Sequence, residues 1–312
     1  MASHAGVLRA FHEVGGIDPN QADVVIGTSA GSVIGSLVRI GRSTSDIWAV
    51  ATRTVADDDP TSDIARADLF RRSWGNPSQL ARRSLGSLYV MSRSLLRVPF
   101  APIPSVARKV FPGGFMSVSE EAVDVGTGIP DGWPEAPLWL CTVNLDTGRR
   151  VVLGRRGDQP PLAHAVLASC AIPGYYQPVR LDGRTLVDGG VHSTTNLDLA
   201  AKAEPGLVVA VAPMGHDPRR APGPGGRATR RPINRGLARE RLTVQASGRE
   251  VLLIRPGREE LVAHGLNPMR LAHLEPVAVA AYDATARLLG RPEVRRRLDA
   301  AREGAPRVAN AS

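Results

Sequence analysis

The stretch Val24-Val25-Ile26-Gly27-Thr28-Ser29-Ala30-Gly31-Ser32-Val33-Ile34-Gly35-Ser36-Leu37-Val38 decides how this chain folds. Its opening, part of Ala22 to Ile26, is a short β-branched run suited to a buried strand. Its close, part of Ser32 to Ile40, has the apolar spacing of a helix. Between them stands Gly27-Thr28-Ser29-Ala30-Gly31, a match to G-x-S-x-G. In a chain of this length such a match arises by chance with odds of roughly one in five, so its weight comes from the flanks. A serine on a sharp turn between a strand and a helix forms a nucleophile elbow, with glycines where side chains would collide with both elements. The turn also aims the helix N-terminus at Ser29, where backbone N–H groups and the helix dipole stabilise developing negative charge.

Outward from this unit, Ala5 to Val14 reads as a helix closed by Gly15-Gly16. Strand-like runs recur at Leu138 to Val143, Val151 to Leu153, Thr185 to Val187, Leu207 to Ala212 and Val251 to Ile254, with a helical run at Leu162 to Ser169. Strands alternating with helices imply an α/β layered domain with a largely parallel sheet. Arg39 to Ser119 is helical and irregular, with Asp57-Asp58-Asp59-Pro60 as a loop. Within it, Leu80 to Phe115 is basic, apolar and broken by prolines: it reads as a lid or membrane-touching segment, or as an amphipathic surface helix. Pro213 to Gly236, rich in Pro, Gly and Arg, reads as a mobile loop. Pro276 to Arg302 returns to helical periodicity with arginines on one face. No internal repeat or linker requires two domains, so one domain over 1–312 is expected, with its motifs in about 5–201.

The 312 residues are 43% hydrophobic and 22% charged, a globular composition that excludes a disordered chain or a coiled coil. The net charge is +9, but Lys109 and Lys202 are the only lysines, a bias that reads as base composition of the gene. An aromatic content of 4% argues against a stacking platform for single-stranded nucleic acid. Cys141 and Cys170 sit in apolar contexts without metal-ligand spacing, which points to a reducing compartment and no zinc. The longest charge-free stretch, Pro160 to Val179, is too broken by prolines to span a membrane, and no signal peptide is visible, so a cytoplasmic location is expected.

A serine hydroxyl needs a base. The histidines are His4, His12, His164, His192, His216, His264 and His273, and none has the context of a triad histidine on a late loop. The acidic alternative is Asp188, in Leu186-Val187-Asp188-Gly189-Gly190, at the end of a β-branched run and before two glycines that let the backbone turn away. It is placed to accept the Ser29 proton directly, or else it only makes a turn, as Asp-Gly pairs often do.

Three motifs in order resemble the patatin-like phospholipase family: Gly27 to Ser32; Ala168-Ser169-Cys170-Ala171-Ile172-Pro173-Gly174; and Asp182-Gly183-Arg184 with Val187-Asp188-Gly189-Gly190-Val191 and Asn196. The resemblance covers about Ala5 to Ala201 and implies a three-layer α/β/α fold, with a Ser–Asp dyad acting on acyl esters of lipids. Carried over, Ser29 is the nucleophile, Asp188 the general base and the Ala30 N–H one oxyanion donor. Gly27, Thr28, Gly31, Gly189 and Gly190 complete the motifs, and neither cofactor nor metal is expected. Family members open with a strand and a G-G-G-x-R/K-G loop before a segment resembling His4-Ala5-Gly6-Val7-Leu8. This sequence opens after them, so the first strand is expected to be absent: either the start is placed late or the loop is missing. Loss of one oxyanion donor typically costs ~10²–10³ in kcat.

The partner expected is a lipid or acyl ester, with peripheral contact to anionic membrane aided by the arginines. A rival reading is a non-catalytic lipid-binding or interaction protein on the same scaffold. Nucleic-acid binding through Arg219 to Arg241 is not expected, because Pro and Gly interrupt any ordered basic face. His192 is read as a polar loop residue, and Thr194, Thr195 and Asn196 as hydrogen-bonding the turn after Asp188.

Overall fold

The computed structural model describes residues 1–52, 71–72, 116–117, 128–173, 176–203, 206–217, 224–264 and 274–304. The candidate lid Leu80 to Phe115 and the acidic run Asp57 to Asp59 lie outside them. In chain order the elements are α1 (Ala2–Glu13), β1 (Val25–Gly27), α2 (Ala30–Arg39), α3 (Thr44–Thr52), β2 (Arg71–Arg72) and β3 (Met116–Ser117). Then come β4 (Leu138–Asn144), β5 (Arg150–Leu153), α4 (Leu162–Cys170), β6 (Val179–Leu181), β7 (Arg184–Asp188) and β8 (Leu207–Val211). The chain continues with α5 (Pro224–Ala246), β9 (Glu250–Ile254), α6 (Arg258–His264), α7 (Leu274–Leu289) and α8 (Pro292–Gly304). This is a mixed α/β fold, as the sequence leads one to expect. Among the described residues no helix is long and apolar enough to cross a membrane.

The chain divides into two compact units, one of residues 22–196 with Met1 and one of residues 2–21 with 197–312. In the first, the strand order is β1-β4-β7-β6, with β5 also pairing β4. The parallel character expected of the sheet appears where helices intervene in the chain, at β1 with β4. The tight turns add antiparallel pairs, β4 with β5 and β6 with β7, because a two-to-five-residue connection can only reverse the chain. β4 also runs antiparallel to β7, with Thr142 opposite Asp188. The β4–β5 turn is fixed by the Asn144 side chain, whose Oδ1 accepts the N–H groups of Asp146 at 2.8 Å and Thr147 at 3.1 Å.

Central β4 is buried along almost its whole length, which is why Leu138 to Val143 reads as a near-continuous apolar run. Helix α2 buries every residue from Ser32 to Arg39. At its end Arg39, 5% exposed, donates from its guanidinium to the carbonyls of Ala22 at 2.6 Å and Pro137 at 3.2 Å. One side chain therefore ties α2 to the residues leading into both β1 and β4, and satisfies carbonyls that sit beyond the strand ends.

In the second unit β8 and β9 pair in parallel across the helix α5 that connects them. Its core joins Val7, Ala10 and Phe11 of α1 to Leu252 and Ile254 of β9, Ala281 and Leu289 of α7, and Val294 and Leu298 of α8. Of the apolar positions in Ala5 to Val14, Val7 and Phe11 enter this core, while Leu8 is half-buried and Val14 is exposed. The helical periodicity expected over Pro276 to Arg302 is carried by two helices, α7 and α8, parted by Gly290 and Arg291.

One expectation is overturned. The stretch 213–236, read as a mobile loop, is helical from Pro224 and belongs to the 23-residue α5. The loop reading weighed Pro and Gly above periodicity, yet Leu237 and Val244 are 4% and 0% exposed at a seven-residue spacing that buries one face. Arg, Ala, Leu and Glu through the rest of the helix favour it locally. Pro232 lies inside α5 and cannot donate to the carbonyl four residues earlier. Pro232→Ala should therefore raise the stability of the protein, by up to about 3 kcal/mol. Denaturant unfolding of the two forms checks this, and an unchanged or lowered midpoint would contradict it.

Candidate active site

The site is assembled at the ends of β1 and β7, with β4 between them. β1 ends at Gly27, in register with Leu140, and the chain turns sharply into α2. Gly27 has no alternative here: a Cβ on it would lie 2.6 Å from the Ser32 Cα. Ser29, the N-cap of α2, has φ 54 and ψ −125, a backbone conformation that L-residues other than glycine rarely adopt. Such strain costs of order 1–3 kcal/mol and persists only where the surroundings over-determine it. They do so in this case. The Ser29 N–H donates to the Ser169 hydroxyl at 3.1 Å, and that hydroxyl donates to the Cys141 carbonyl at 2.8 Å. The Ser29 carbonyl accepts from the Ser32 hydroxyl at 2.6 Å and from the Ser32 N–H at 2.7 Å.

The strained cap leaves the Ser29 side chain out of helix capping. Its hydroxyl instead faces Asp188, near enough to favour the charged form of that carboxyl. Asp188 ends β7, with its N–H donated to the Ala171 carbonyl at 3.0 Å and its Oδ1 accepting the Gly190 N–H at 2.7 Å. Gly189 lets the chain turn directly over β4, where a Cβ would collide with the Cys141 carbonyl. Asp188 is only 4% exposed. Burial pushes its carboxyl up to about 6 from the ordinary 3.8, against the pull of the Gly190 and Ser29 hydrogen bonds.

The remaining expected residues fall around this pair. Gly31 sits in the first turn of α2 and donates to the Thr28 carbonyl at 2.9 Å. With Gly31, Ser32 and Ser29 N–H groups all bonded inward, the Ala30 N–H is the donor of this turn that no described residue accepts. The Thr28 hydroxyl accepts from the Asn196 side chain at 3.0 Å. His192 is exposed, while His216 is buried and bonded to Asn234. Burial pushes the His4 imidazole down to about 3, so it is neutral. His273 lies outside the described residues. Burial and the Asp188 charge push the Cys170 thiol up to about 12, which keeps it from competing as a thiolate nucleophile.

Sequence reasoning had no role for Ser169 or Arg150, and it gave Asn196 only the local turn. Ser169 lay within a motif already quoted, but a serine amid alanines carries no mark of the backbone N–H it holds 140 residues away.

A family model described as patatin-like phospholipase matches residues 1–201. The chain belongs to the patatin-like phospholipase family. Lipid acyl hydrolysis of the phospholipase type is the activity of that family. Among solved structures, the chain is similar to VipD from Legionella pneumophila at 15% identity and a TM-score of 0.40. That match covers 92% of this patatin-like chain, which spans 64% of the length of the VipD chain.

Two predictions follow from the strain and the burial. Glycine accepts the Ser29 backbone at no steric cost and alanine does not, so Ser29→Gly should be more stable than Ser29→Ala by about 1–3 kcal/mol; equal unfolding midpoints would contradict this. The folded protein also holds the Asp188 proton up to about 6, above the ordinary 3.8, so the stabilisation from this group is full below pH 4 and lost as the pH rises through about 6. Asp188→Asn removes the cost of a buried charge, about 3 kcal/mol at most. Its melting temperature should exceed that of the wild type at pH 8, with the gap closing by pH 4.

Proposed function

We propose that this protein hydrolyses acyl esters of lipids through a Ser29–Asp188 dyad. The observation that carries the reading is a serine held at φ 54 beside a buried carboxyl that desolvation pushes up to about 6. A carboxylate of that basicity is ionised at neutral pH and still accepts a proton more readily than an ordinary aspartate. Ser29 Oγ attacks the ester carbonyl carbon while its proton passes to Asp188. The tetrahedral oxyanion takes a hydrogen bond from the Ala30 N–H, assisted by the N-terminal end of the α2 dipole. Collapse expels the alcohol, which leaves with the proton from Asp188. Water, deprotonated by the same aspartate, then attacks the acyl-enzyme and frees the acid and Ser29.

The substrate side of the reading is a lipid ester met at a cytoplasmic lipid surface. The net charge of +9 suits an anionic interface, and the free thiols Cys141 and Cys170 suit a reducing compartment.

The test is fluorophosphonate labelling together with turnover of a p-nitrophenyl acyl ester. Label should appear on Ser29, and Ser29→Ala and Asp188→Asn should each abolish turnover. Wild-type kcat/KM should fall about tenfold per pH unit below about 6, as Asp188 takes up a proton. Undiminished turnover in either variant sinks the dyad. An unlabelled Ser29 with binding to lipid vesicles retained would instead support the non-catalytic reading.

A further inference from the structure

We infer that Asn196 is a positioning residue that holds the serine elbow and the aspartate turn in register. The inference rests on the dyad reading above and extends it to a side chain that touches neither reacting group. Asn196 is fully buried, with φ 48. Its Nδ2 donates to the Thr28 hydroxyl at 3.0 Å and to the Ser193 carbonyl at 2.8 Å, with a long contact of 3.5 Å to the Gly189 carbonyl. Its Oδ1 accepts from Arg150 Nη1 at 3.0 Å, and its own N–H donates to Ser193 Oγ at 3.0 Å.

The orientation of the amide is forced by its partners. A guanidinium only donates, so the atom facing Arg150 is the oxygen; a peptide carbonyl only accepts, so the atom facing Ser193 is the nitrogen. Both Nδ2 protons are therefore committed, one to the turn after Asp188 and one to Thr28. Thr28 immediately precedes Ser29, and Gly189 immediately follows Asp188. A single buried amide 168 residues from Thr28 thus bridges the residue before Ser29 to Ser193, in the turn that follows Asp188. Arg150 on β5 holds the oxygen of that amide.

No other side chain reproduces these features together. Alanine lacks the amide and is strained at φ 48; aspartate places an acceptor against the Ser193 carbonyl; glutamine is a methylene too long for a closed cage. Asn is also the non-glycine residue that best tolerates a left-handed backbone. With the tie released, the Ser29 hydroxyl and the Asp188 carboxylate keep their own elements but lose the constraint on their separation, and small displacements of reacting groups cost rate steeply.

The experiment uses Asn196→Gly, since glycine accepts φ 48 freely and so removes the amide without adding backbone strain. Kinetics are taken per active site titrated with a fluorophosphonate, which discounts any misfolded fraction. The expected result is a fall in kcat of at least about tenfold with KM little changed. The acid limb of kcat/KM should also move to higher pH, because the Ser29 hydroxyl that lowers the Asp188 pKa is no longer held beside it. Thr28→Val removes the acceptor at the other end of the tie and should give a similar fall. The double variant should be no worse than the poorer single one, since both cut the same link. Thr28→Val also keeps the test open if Asn196→Gly fails to fold. Labelled protein with unchanged kcat and acid limb in Asn196→Gly, or additive losses in the double variant, overturns the role of Asn196 and leaves the dyad intact. Failure of the wild type to label at Ser29 overturns the dyad and this inference with it.

Discussion

The hydrogen bond from the Ser29 N–H to the Ser169 hydroxyl, relayed at 2.8 Å to the Cys141 carbonyl of β4, is the constraint around which the first unit is organised. It takes a backbone donor that would otherwise point into the first turn of α2, and it holds Ser29 at a φ that its side chain resists. Because the relay ends on β4, the elbow is referenced to the same strand that pairs with both β1 and β7. Asp188 lies opposite Thr142, the next residue after Cys141. Serine and carboxylate are thus each measured from adjacent residues of one buried strand, whose residues from Leu140 to Val143 are fully buried. A site built on a packed strand is held more sharply than one built on loops alone.

Burial sets the electrostatics as well as the geometry. A carboxylate at 4% exposure would ordinarily be tied by a cation, and pairing with arginine would draw its pKa down. Asp188 instead accepts the Gly190 N–H and lies beside the Ser29 hydroxyl, which support the charge without neutralising it. The result is a base stronger than a surface aspartate and a folded state that is poorer for it at neutral pH. Ser29 is of the same kind, since its strained backbone is also a local loss. The two strained or charge-burying residues of the unit thus face each other, and strain and buried charge of this kind concentrate at functional sites.

Much of this was legible in the sequence because it is local. β-branched residues before Gly27, apolar spacing after Gly31 and the Asp-Gly-Gly turn each follow from neighbours in the chain. The fold class followed from alternating periodicities. What escaped was of two kinds. Strand β6 has three residues, too few for alternation to register, and it exists through its turn to β7 at Asp182 and Gly183, both with positive φ. Helix α5 was hidden by Pro232 and three early glycines or prolines, though its buried stripe at Leu237 and Val244 outweighs them. The second kind is long-range: Arg39, Ser169 and Asn196 act across about 17 to 168 residues. No periodicity marks a polar side chain as buried, so their partners appear only in three dimensions.

The same hydrogen-bond accounting bears on the oxyanion. The first turn of a helix offers four backbone donors at most, and here three groups are already spent: Ser29 on Ser169, Gly31 on Thr28 and Ser32 on Ser29. Had Ser29 taken an ordinary helical cap, its side chain would have bonded the N–H of Gly31 or Ser32 and left Asp188 without its partner. The left-handed conformation avoids this by turning those donors onto main-chain carbonyls, which frees the hydroxyl and isolates Ala30. In the proposed reaction a tetrahedral oxyanion at Ser29 would therefore meet one donor from α2, reinforced by the helix dipole. Any second donor would come from outside this turn, and the rate of the proposed dyad would scale with it by the ~10²–10³ that one such hydrogen bond supplies.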